Sequence, residues 1–118
     1  MKDNHKCAHL DQSILEELKG EVSDFPKLES ASETFAMLGD PTRLRILFTL
    51  SKTGQCCVYH LAEIMGMGVS AISHHLRKLR DRRLVTTQRD GLNIYYSVSK
   101  SDEAKGACNL ARKILGVK

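Results

Sequence analysis

The sequence predicts a small, mainly α-helical fold in which a β-hairpin follows a pair of short helices. Two helical patterns, at 57–65 and 70–82, are separated by a Gly-Met-Gly turn at 66–68. The period then becomes that of a strand, and an Asp-Gly pair at 90–91 predicts a hairpin. Basic residues cluster on the second helix and the hairpin. This order of elements predicts a winged helix-turn-helix.

Two helices precede this pair. Asp11 and Gly20 are suitable as the cap and the stop of a helix over 11–20. After Pro26, the spacing predicts a helix over 28–38 that ends at Gly39. The apolar face of that second helix is predicted to consist of Leu28, Ala31, Phe35 and Leu38.

A third helix opens the helix-turn-helix region. Asp40 is its predicted N-cap, Pro41 its first residue, and Gly54 its stop. Its predicted apolar face consists of Leu44, Leu47 and Phe48. In the next two helices, the side chains spaced for burial are Val58, Leu61, Ala62 and Met65, then Ile72, Leu76 and Leu79. The remaining predicted elements are strands at 84–89 and 93–98 and a helix at about 102–115.

The length of 118 residues fits one compact domain. We divide the chain into a flexible N-terminal arm, 1–10, and a winged helix-turn-helix domain, 11–118. No apolar run is long enough to span a membrane, and the N-terminus lacks the apolar core of a signal peptide, so we expect a cytoplasmic protein. No nucleophile–base pair, phosphate loop or carboxylate pair is apparent, and we expect no enzyme.

Charge is segregated along the chain. The net charge is only +4, but residues 77–89 contain six basic side chains, with Asp81 as the single acid. The first 40 residues carry an acidic surplus instead. A basic segment placed on a predicted helix and hairpin indicates double-stranded DNA as the partner, although a charge run alone is often only a solvated helix face.

The polar face of the helix at 70–82 carries groups that can bond phosphates or base edges. With the apolar face turned inward, five side chains point to solvent, and the hairpin adds one more near its tip. The predicted DNA-binding residues are Ser70, Ser73, His74, Arg77, Lys78 and Arg89. His75 lies about 100° around the helix from His74, so we expect it to be a half-buried packing residue.

The stretch GQCCVYHLAE raises the question of a metal or redox site, because stable disulfides are uncommon in a reducing compartment. Cys57 and His60, at positions i and i+3 of the predicted helix, share one face and can bind one ion. Cys56 and His60 are spaced i and i+4, so Cys56 is an additional or competing ligand. Cys56 is equally well explained as a small buried apolar residue.

The N-terminal stretch HKCAH is the second candidate for metal binding. It places His5 and His9 on either side of Cys7 in a polar segment. Core packing does not explain such a cluster, although it could also be an ordinary disordered tail. Two ligands from the helix do not complete a tetrahedral site, which needs four.

Several segments together resemble the ArsR/SmtB family of metal-sensing repressors: LGDPTRLRILFTL, CVYHLAEIMGMGVSAISHHLRKLRDRRLV and the hairpin ending in IYY. The resemblance implies a winged helix-turn-helix homodimer with outer helices at the interface. It also implies that the metal-free dimer binds an operator, and that metal binding releases it and derepresses genes of metal efflux or sequestration. Leu92 departs from the family pattern, which has a basic residue after the turn glycine.

The resemblance also implies where metal binds. CVYHL aligns with the family's cysteine-containing helix site, with Cys57 on its cysteine and His60 in place of its aspartate. Tyr59 replaces a second cysteine, which argues against the usual three-thiolate arrangement. In the family, the arm of one protomer reaches the helix of the other. We therefore expect Cys7 and His9 of one protomer to join Cys57 and His60 of its partner.

This ligand set of two thiolates and two imidazoles suits Zn(II) or Cd(II). Adding Cys56 would favour Cd(II), Pb(II) or Cu(I), and His5 could replace His9. A second family site, on the last helix, corresponds here to Lys100, Asp102, Lys113 and Gly116. Two lysines cannot form a zinc site, so we interpret that site as lost. Cys108, alone on that helix, is interpreted as a residue of the dimer interface.

Two other functions fit the same residues. A repressor that senses thiol oxidation could use Cys56 or Cys57 with Cys7, and it would release DNA with oxidant and without metal. Adjacent cysteines, however, rarely bridge each other. A metal-buffering protein would keep the ligands but show no salt-dependent DNA binding.

Overall fold

The computed structural model describes residues 9–118, and these form six helices and three short strands. The chain divides after Ser30 into two compact units. The elements are α1 (Gln12–Ser23), α2 (Leu28–Leu38), α3 (Pro41–Thr53), β1 (Cys56–Cys57), α4 (Val58–Met65), α5 (Val69–Asp81), β2 (Val85–Asp90), β3 (Asn93–Val98) and α6 (Asp102–Leu115). The predicted winged helix-turn-helix is confirmed.

Helix α1 begins at the predicted cap, Asp11, but it ends three residues beyond the predicted stop at Gly20. The Asp11 carboxylate accepts a hydrogen bond of 3.1 Å from the backbone N–H of Ile14, as expected for an N-cap. The predicted stop at Gly20 is wrong, because the helix continues to Ser23. A single glycine inside a helix costs only about 1 kcal/mol, which does not by itself end it. No residue of α1 is buried.

Helix α2 has the predicted bounds, but its predicted apolar face is not its buried side. Thr34 is the one buried residue of α2, and its hydroxyl donates a hydrogen bond to the Glu103 carboxylate of α6. Leu28 and Phe35, predicted to face inward, are exposed. Leu38, at the end of the same face, is half-buried against the core, so only the earlier part of this apolar face lies on the surface of the single chain.

Helix α3 starts at the predicted cap. The Asp40 carboxylate accepts a hydrogen bond of 3.0 Å from the backbone N–H of Arg43. Its predicted apolar face is only partly correct, because Leu44 and Phe48 are half-buried. The side chains that α3 contributes to the core are Ile46, Leu47 and Leu50.

The core lies under the helix-turn-helix. Ile72, Leu76 and Leu79 of α5 have no exposed surface, as predicted. Leu61 of α4 and Leu84, which precedes β2, complete the centre of the same cluster. Burying each such side chain contributes about 1.5–3 kcal/mol, so the orientation of α5 on α3 and α4 is strongly determined.

The wing is a three-stranded antiparallel sheet in the order β1-β3-β2. Val85 pairs with Val98 and Asp90 with Asn93, and Gly91 in the turn has a φ of +64°, which suits glycine. Strand β1 was not predicted. Its two cysteines pair with Tyr95 and Tyr96 of β3, so Cys57 is extended and caps α4 instead of lying inside it.

Candidate metal and nucleic-acid sites

The outer face of α5 is polar because its apolar side is closed by the core. Four of the six predicted DNA-binding residues lie exposed on this helix, and Ser73 is half-buried. Arg89 is exposed near the end of β2. No carboxylate occurs on α5 before Asp81, so most of this face carries no group that repels phosphate. The exposed four are Ser70, His74, Arg77 and Lys78.

The basic run beyond α5 is not uniformly a DNA surface. The Arg82 guanidinium, at the C-cap of α5, lies 2.7 Å from a carboxylate oxygen of Glu33 on α2 and is half-buried. This ion pair joins the end of α5 to α2. Arg82 therefore has a structural contact that the charge pattern alone did not reveal.

The tip of the wing is apolar. The Leu92 side chain is fully exposed, at 101% of its reference surface. Ile94 on β3 pairs with Arg89 on β2, and it too is exposed. An exposed leucine of this kind contributes nothing to the core of the chain.

Cys57 and His60 line one surface hollow. The hollow has a volume of about 530 Å³ and is formed by the end of α3, by β1, by α4 and by Tyr95 of β3. Cys57 is half-buried and His60 is exposed, and Glu63, one turn after His60, lines the same hollow. Sequence analysis missed Glu63, although its i, i+3 spacing from His60 was the available signal.

Cys56 lines the same hollow, but it is only 6% exposed and belongs to the core cluster. Burial raises the pKa of its thiol, and the neighbouring Cys57 raises it further. Successive residues of a strand point to opposite faces, so β1 directs Cys56 into the core. Cys56 and Cys57 both lie in β1, with Cys57 at the N-cap of α4. The prediction that either cysteine shares a helix face with His60 is therefore wrong.

Only part of the N-terminal half of the predicted metal site lies within the described residues. Cys7 and His5 lie outside the described residues, and His9 is exposed. Within residues 9–118, no group of three or more His, Cys, Asp or Glu side chains is arranged to hold a metal ion. Among the described residues, the predicted ligands Cys57 and His60 and the possible ligand Cys56 line one hollow.

Cys108 belongs to the core of its own chain. It is buried on α6, and this burial raises the pKa of its thiol against the opposing effect of Arg112. Its side chain packs in the core of one chain, and its predicted place at a dimer interface stays a prediction. A neighbouring apolar hollow of about 260 Å³ is lined instead by larger side chains, among them Phe35, Leu44, Leu110 and Ile114.

Among residues 9–118, no helix has both the length and the hydropathy needed to cross a bilayer. Helix α6 is the longest described helix, with 14 residues, and it carries charges at both ends.

Comparison with known proteins gives concordant matches. A model of the family described as bacterial regulatory protein, arsR family, matches residues 40–87. The chain is 40% identical over 91 residues to a transcriptional repressor SmtB homolog of Synechocystis sp., covering 77% of this chain and 67% of that protein. It is 32% identical over 92 residues to the cadmium resistance transcriptional regulatory protein CadC of Listeria innocua. That match covers 78% of this chain and 75% of CadC.

The structural comparison extends over more of the chain. The crystal structure of NolR from Sinorhizobium fredii matches with a TM-score of 0.67 and 34% identity. The match covers 95% of this chain and 100% of that one. The similarity therefore includes the outer helices as well as the helix-turn-helix.

Proposed function

Because the chain belongs to the arsR family of bacterial regulatory proteins, we propose that it is a homodimeric, metal-responsive transcriptional repressor. In this proposal the metal-free dimer binds operator DNA. Binding of Zn(II), Cd(II) or Pb(II), with Cu(I) as a further candidate, releases the operator and allows transcription of efflux or sequestration genes. The cadmium-resistance relative supports the choice of thiophilic ions.

Support for DNA binding comes from the outer face of α5. Ser70, Arg77 and Lys78 offer hydroxyl, guanidinium and ammonium donors on one exposed surface. The buried side of the same helix is fixed by the core. In a two-fold dimer, the two copies of α5 would enter successive major grooves about one helical turn apart.

Support for a homodimer comes from the apolar side chains that the second unit leaves exposed. Phe35 of α2 and Leu110 and Ile114 of α6 line one hollow with almost no polar surface. Exposed apolar patches rimmed by polar residues mark protein interfaces. A second copy of the same surface is complementary in chemistry, as a two-fold interface requires.

The chemistry of the donors near Cys57 fits a thiophilic metal. A thiol, an imidazole and the Glu63 carboxylate line one hollow, and Cys57 is half-buried. We propose Cys57 and His60 as ligands, completed by Cys7 and His9 from the arm of the other protomer. When bound, the ion would supply a cross-link between that arm and the start of α4.

The observation that carries the metal response is the position of Cys57. It caps α4, the first helix of the helix-turn-helix, and its backbone pairs with Tyr95 of the wing. A constraint on Cys57 therefore acts on α4 and on β3 together. Allosteric coupling is typically about 1–3 kcal/mol, which would weaken DNA binding roughly 5–150-fold.

The deciding experiment measures DNA binding of the wild type and of Cys57→Ser while each metal ion is added under reducing conditions. We expect metal to release DNA from the wild type but not from Cys57→Ser. Cys108→Ser is the matched control, because Cys108 is buried in the core away from the hollow. Release from Cys57→Ser by every ion would refute the assignment. Release by oxidant without metal would support the redox alternative.

Thermodynamic linkage gives a second test. If metal weakens DNA binding, DNA must weaken metal binding by the same factor. Isothermal titration of Zn(II) into the free dimer and into the DNA-bound dimer measures both affinities. Equal affinities would contradict the proposed mechanism even if both ligands bind.

A further inference from the structure

His75 joins the recognition helix to α3 through a polar cluster. Arg43 lies at the centre of the cluster: one Nη lies 3.2 Å from the Nδ1 atom of His75, and its Nε donates a hydrogen bond of 2.8 Å to the Met37 carbonyl of α2. The Asp40 carboxylate, which caps α3, lies 3.9 Å from the same Nδ1. Only 18% of the His75 side chain is exposed. The cluster therefore connects α2, α3 and α5.

The geometry selects one protonation state of His75. A guanidinium has donors and no acceptor, so the Arg43 contact requires a lone pair on Nδ1 and hence a neutral imidazole protonated on Nε2. Protonation would place a second N–H against the guanidinium at 3.2 Å and bring two cations into contact. Asp40 offsets this repulsion only in part, because its carboxylate already accepts the backbone N–H of Arg43.

We infer that neutral His75 is a positioning residue for α5, and that its protonation loosens α5 from α3 and weakens sequence-selective DNA binding in acid. This inference rests on the proposed DNA binding by α5. It assigns no contact with DNA to His75. The effect on DNA passes through the orientation of the exposed residues on the same helix.

The charged groups around His75 determine the pH range. Burial lowers the pKa of His75, and Arg43, His74 and Lys78 lower it further, whereas Asp40 raises it. The neutral form is therefore complete above the ordinary imidazole value of 6.5 and is lost as the pH falls through the lowered pKa. We expect the loss of selectivity below the pH at which an exposed histidine titrates.

His74 is a matched control on the same helix. Its ring lies 5.8 Å from that of His75 in an edge-on arrangement, but His74 is exposed on the outer face of α5. His74 would act directly at the proposed DNA surface, whereas the effect of His75 passes through the position of α5. The two histidines therefore separate a direct electrostatic effect from a positioning effect.

The test uses the full chain, kept free of metal with a chelator, and two DNA duplexes. One duplex is enriched from a random-sequence pool by the wild-type protein, and the other is a shuffled duplex of the same composition. The ratio of the two affinities, measured at constant ionic strength near pH 7.5 and near pH 5.5, reports selectivity across the range in which histidines titrate. The proteins are wild type, His75→Gln and His74→Gln.

We expect the selectivity ratio of the wild type to fall severalfold in acid, because protonation of His75 favours the loosened form of the protein over the DNA-bound form. His75→Gln should keep its ratio constant, because the amide does not gain a proton in this pH range. His74→Gln should retain the fall. A fall that persists in His75→Gln, or a constant ratio in the wild type, would overturn the inference.

A second measurement does not depend on DNA. Titration of the histidine ring protons by NMR should give His75 a pKa below the ordinary value, and Arg43→Gln should raise it. Lys52→Gln, which changes an exposed charge at the other end of α3, should leave it unchanged. A wild-type pKa at or above the ordinary value would exclude the inference. Failure of the wild type to bind any duplex would instead refute the proposed function.

Discussion

Helices α5 and α6 have nearly the same length, 13 and 14 residues, but they leave different surfaces exposed. The apolar side of α5 is closed by its own chain, and what it exposes is polar and basic. Helix α6 buries only small residues and Cys108. It leaves Leu110, Ile114 and Leu115 exposed, and Ile114 keeps 77% of its surface.

The difference indicates what kind of partner each helix has. A polar, cationic surface on a rigid helix suits the phosphates and base edges of DNA, where hydrogen bonds and charge determine affinity. An apolar surface suits another protein, where removal from water provides the driving force. In the proposed repressor, the DNA-binding and dimerisation functions would therefore lie on two different helices.

The largest expected effect is a loss of folding stability when a buried side chain of α5 is shortened. Leu76→Ala should lower the free energy of unfolding by about 3 kcal/mol, because it leaves a cavity at a side chain with no exposed surface. Urea unfolding followed by circular dichroism measures this. Leu92→Ala, at the fully exposed wing tip, should change the free energy of unfolding by less than about 0.5 kcal/mol. If Leu76→Ala and Leu92→Ala lowered the free energy of unfolding by similar amounts, the apolar side of α5 would not be buried in the core.

The next effect tests α6. Ile114→Glu should weaken the dimer by at least roughly 30-fold, since hot-spot truncations cost about 2 kcal/mol or more and a buried carboxylate adds to that cost. Sedimentation equilibrium over a range of protein concentrations measures the dimer affinity. Asn109→Glu adds the same charge to an exposed position on the same helix and should leave the dimer intact. If both variants weakened the dimer equally, the dimer interface would not include the Ile114 face of α6.

A smaller effect tests the exposed face of α5. Arg77→Ala should raise the dissociation constant for DNA about tenfold, and it should reduce the salt dependence by about 0.9 for each phosphate that the arginine neutralises. Fluorescence anisotropy at several salt concentrations gives both values. Arg45→Ala removes an exposed arginine from α3 and should leave both values near wild type. If Arg45→Ala changes the dissociation constant and its salt dependence as much as Arg77→Ala does, DNA binding depends only on the net charge of the protein and not on this face of α5.

The smallest effect concerns the wing. Leu92→Lys should tighten DNA binding only a few-fold and increase its salt dependence, because the new cation is added at an exposed hairpin tip where screening is strong. Leu92→Gln is the uncharged control. A gain of the same size from Leu92→Gln would show that removal of the apolar side chain, and not the added charge, is responsible.

Local signals were sufficient for most elements. The bounds of α2 and β3 match the prediction, as do those of α6, where Ser101 caps the helix by accepting from the backbone of Ala104. Caps, prolines and periodicity are encoded by neighbouring residues. The three buried residues of α5 were predicted for the same reason, because an uninterrupted apolar stripe on a capped helix has only one side to bury.

The features that sequence analysis missed depend on partners distant in the chain. Strand β1 exists because Cys56 and Cys57 pair with β3, whereas local periodicity favoured a helix there. The Arg43 and His75 contact joins residues 32 positions apart. Single-sequence patterns do not show which polar side chains meet across two packed helices. The ligands proposed from the arm remain a prediction that depends on the second protomer.

The short strand β1 has an evolutionary consequence. Its pairing with β3 uses backbone groups, and such a ladder places few demands on side-chain identity. Residue 57 is therefore held in position whichever amino acid occupies it. Natural variation at 57, 60 and 63 could change the preferred ion one substitution at a time while the fold stays intact. In that sense, two residues of backbone pairing would make the proposed metal site easy to diversify.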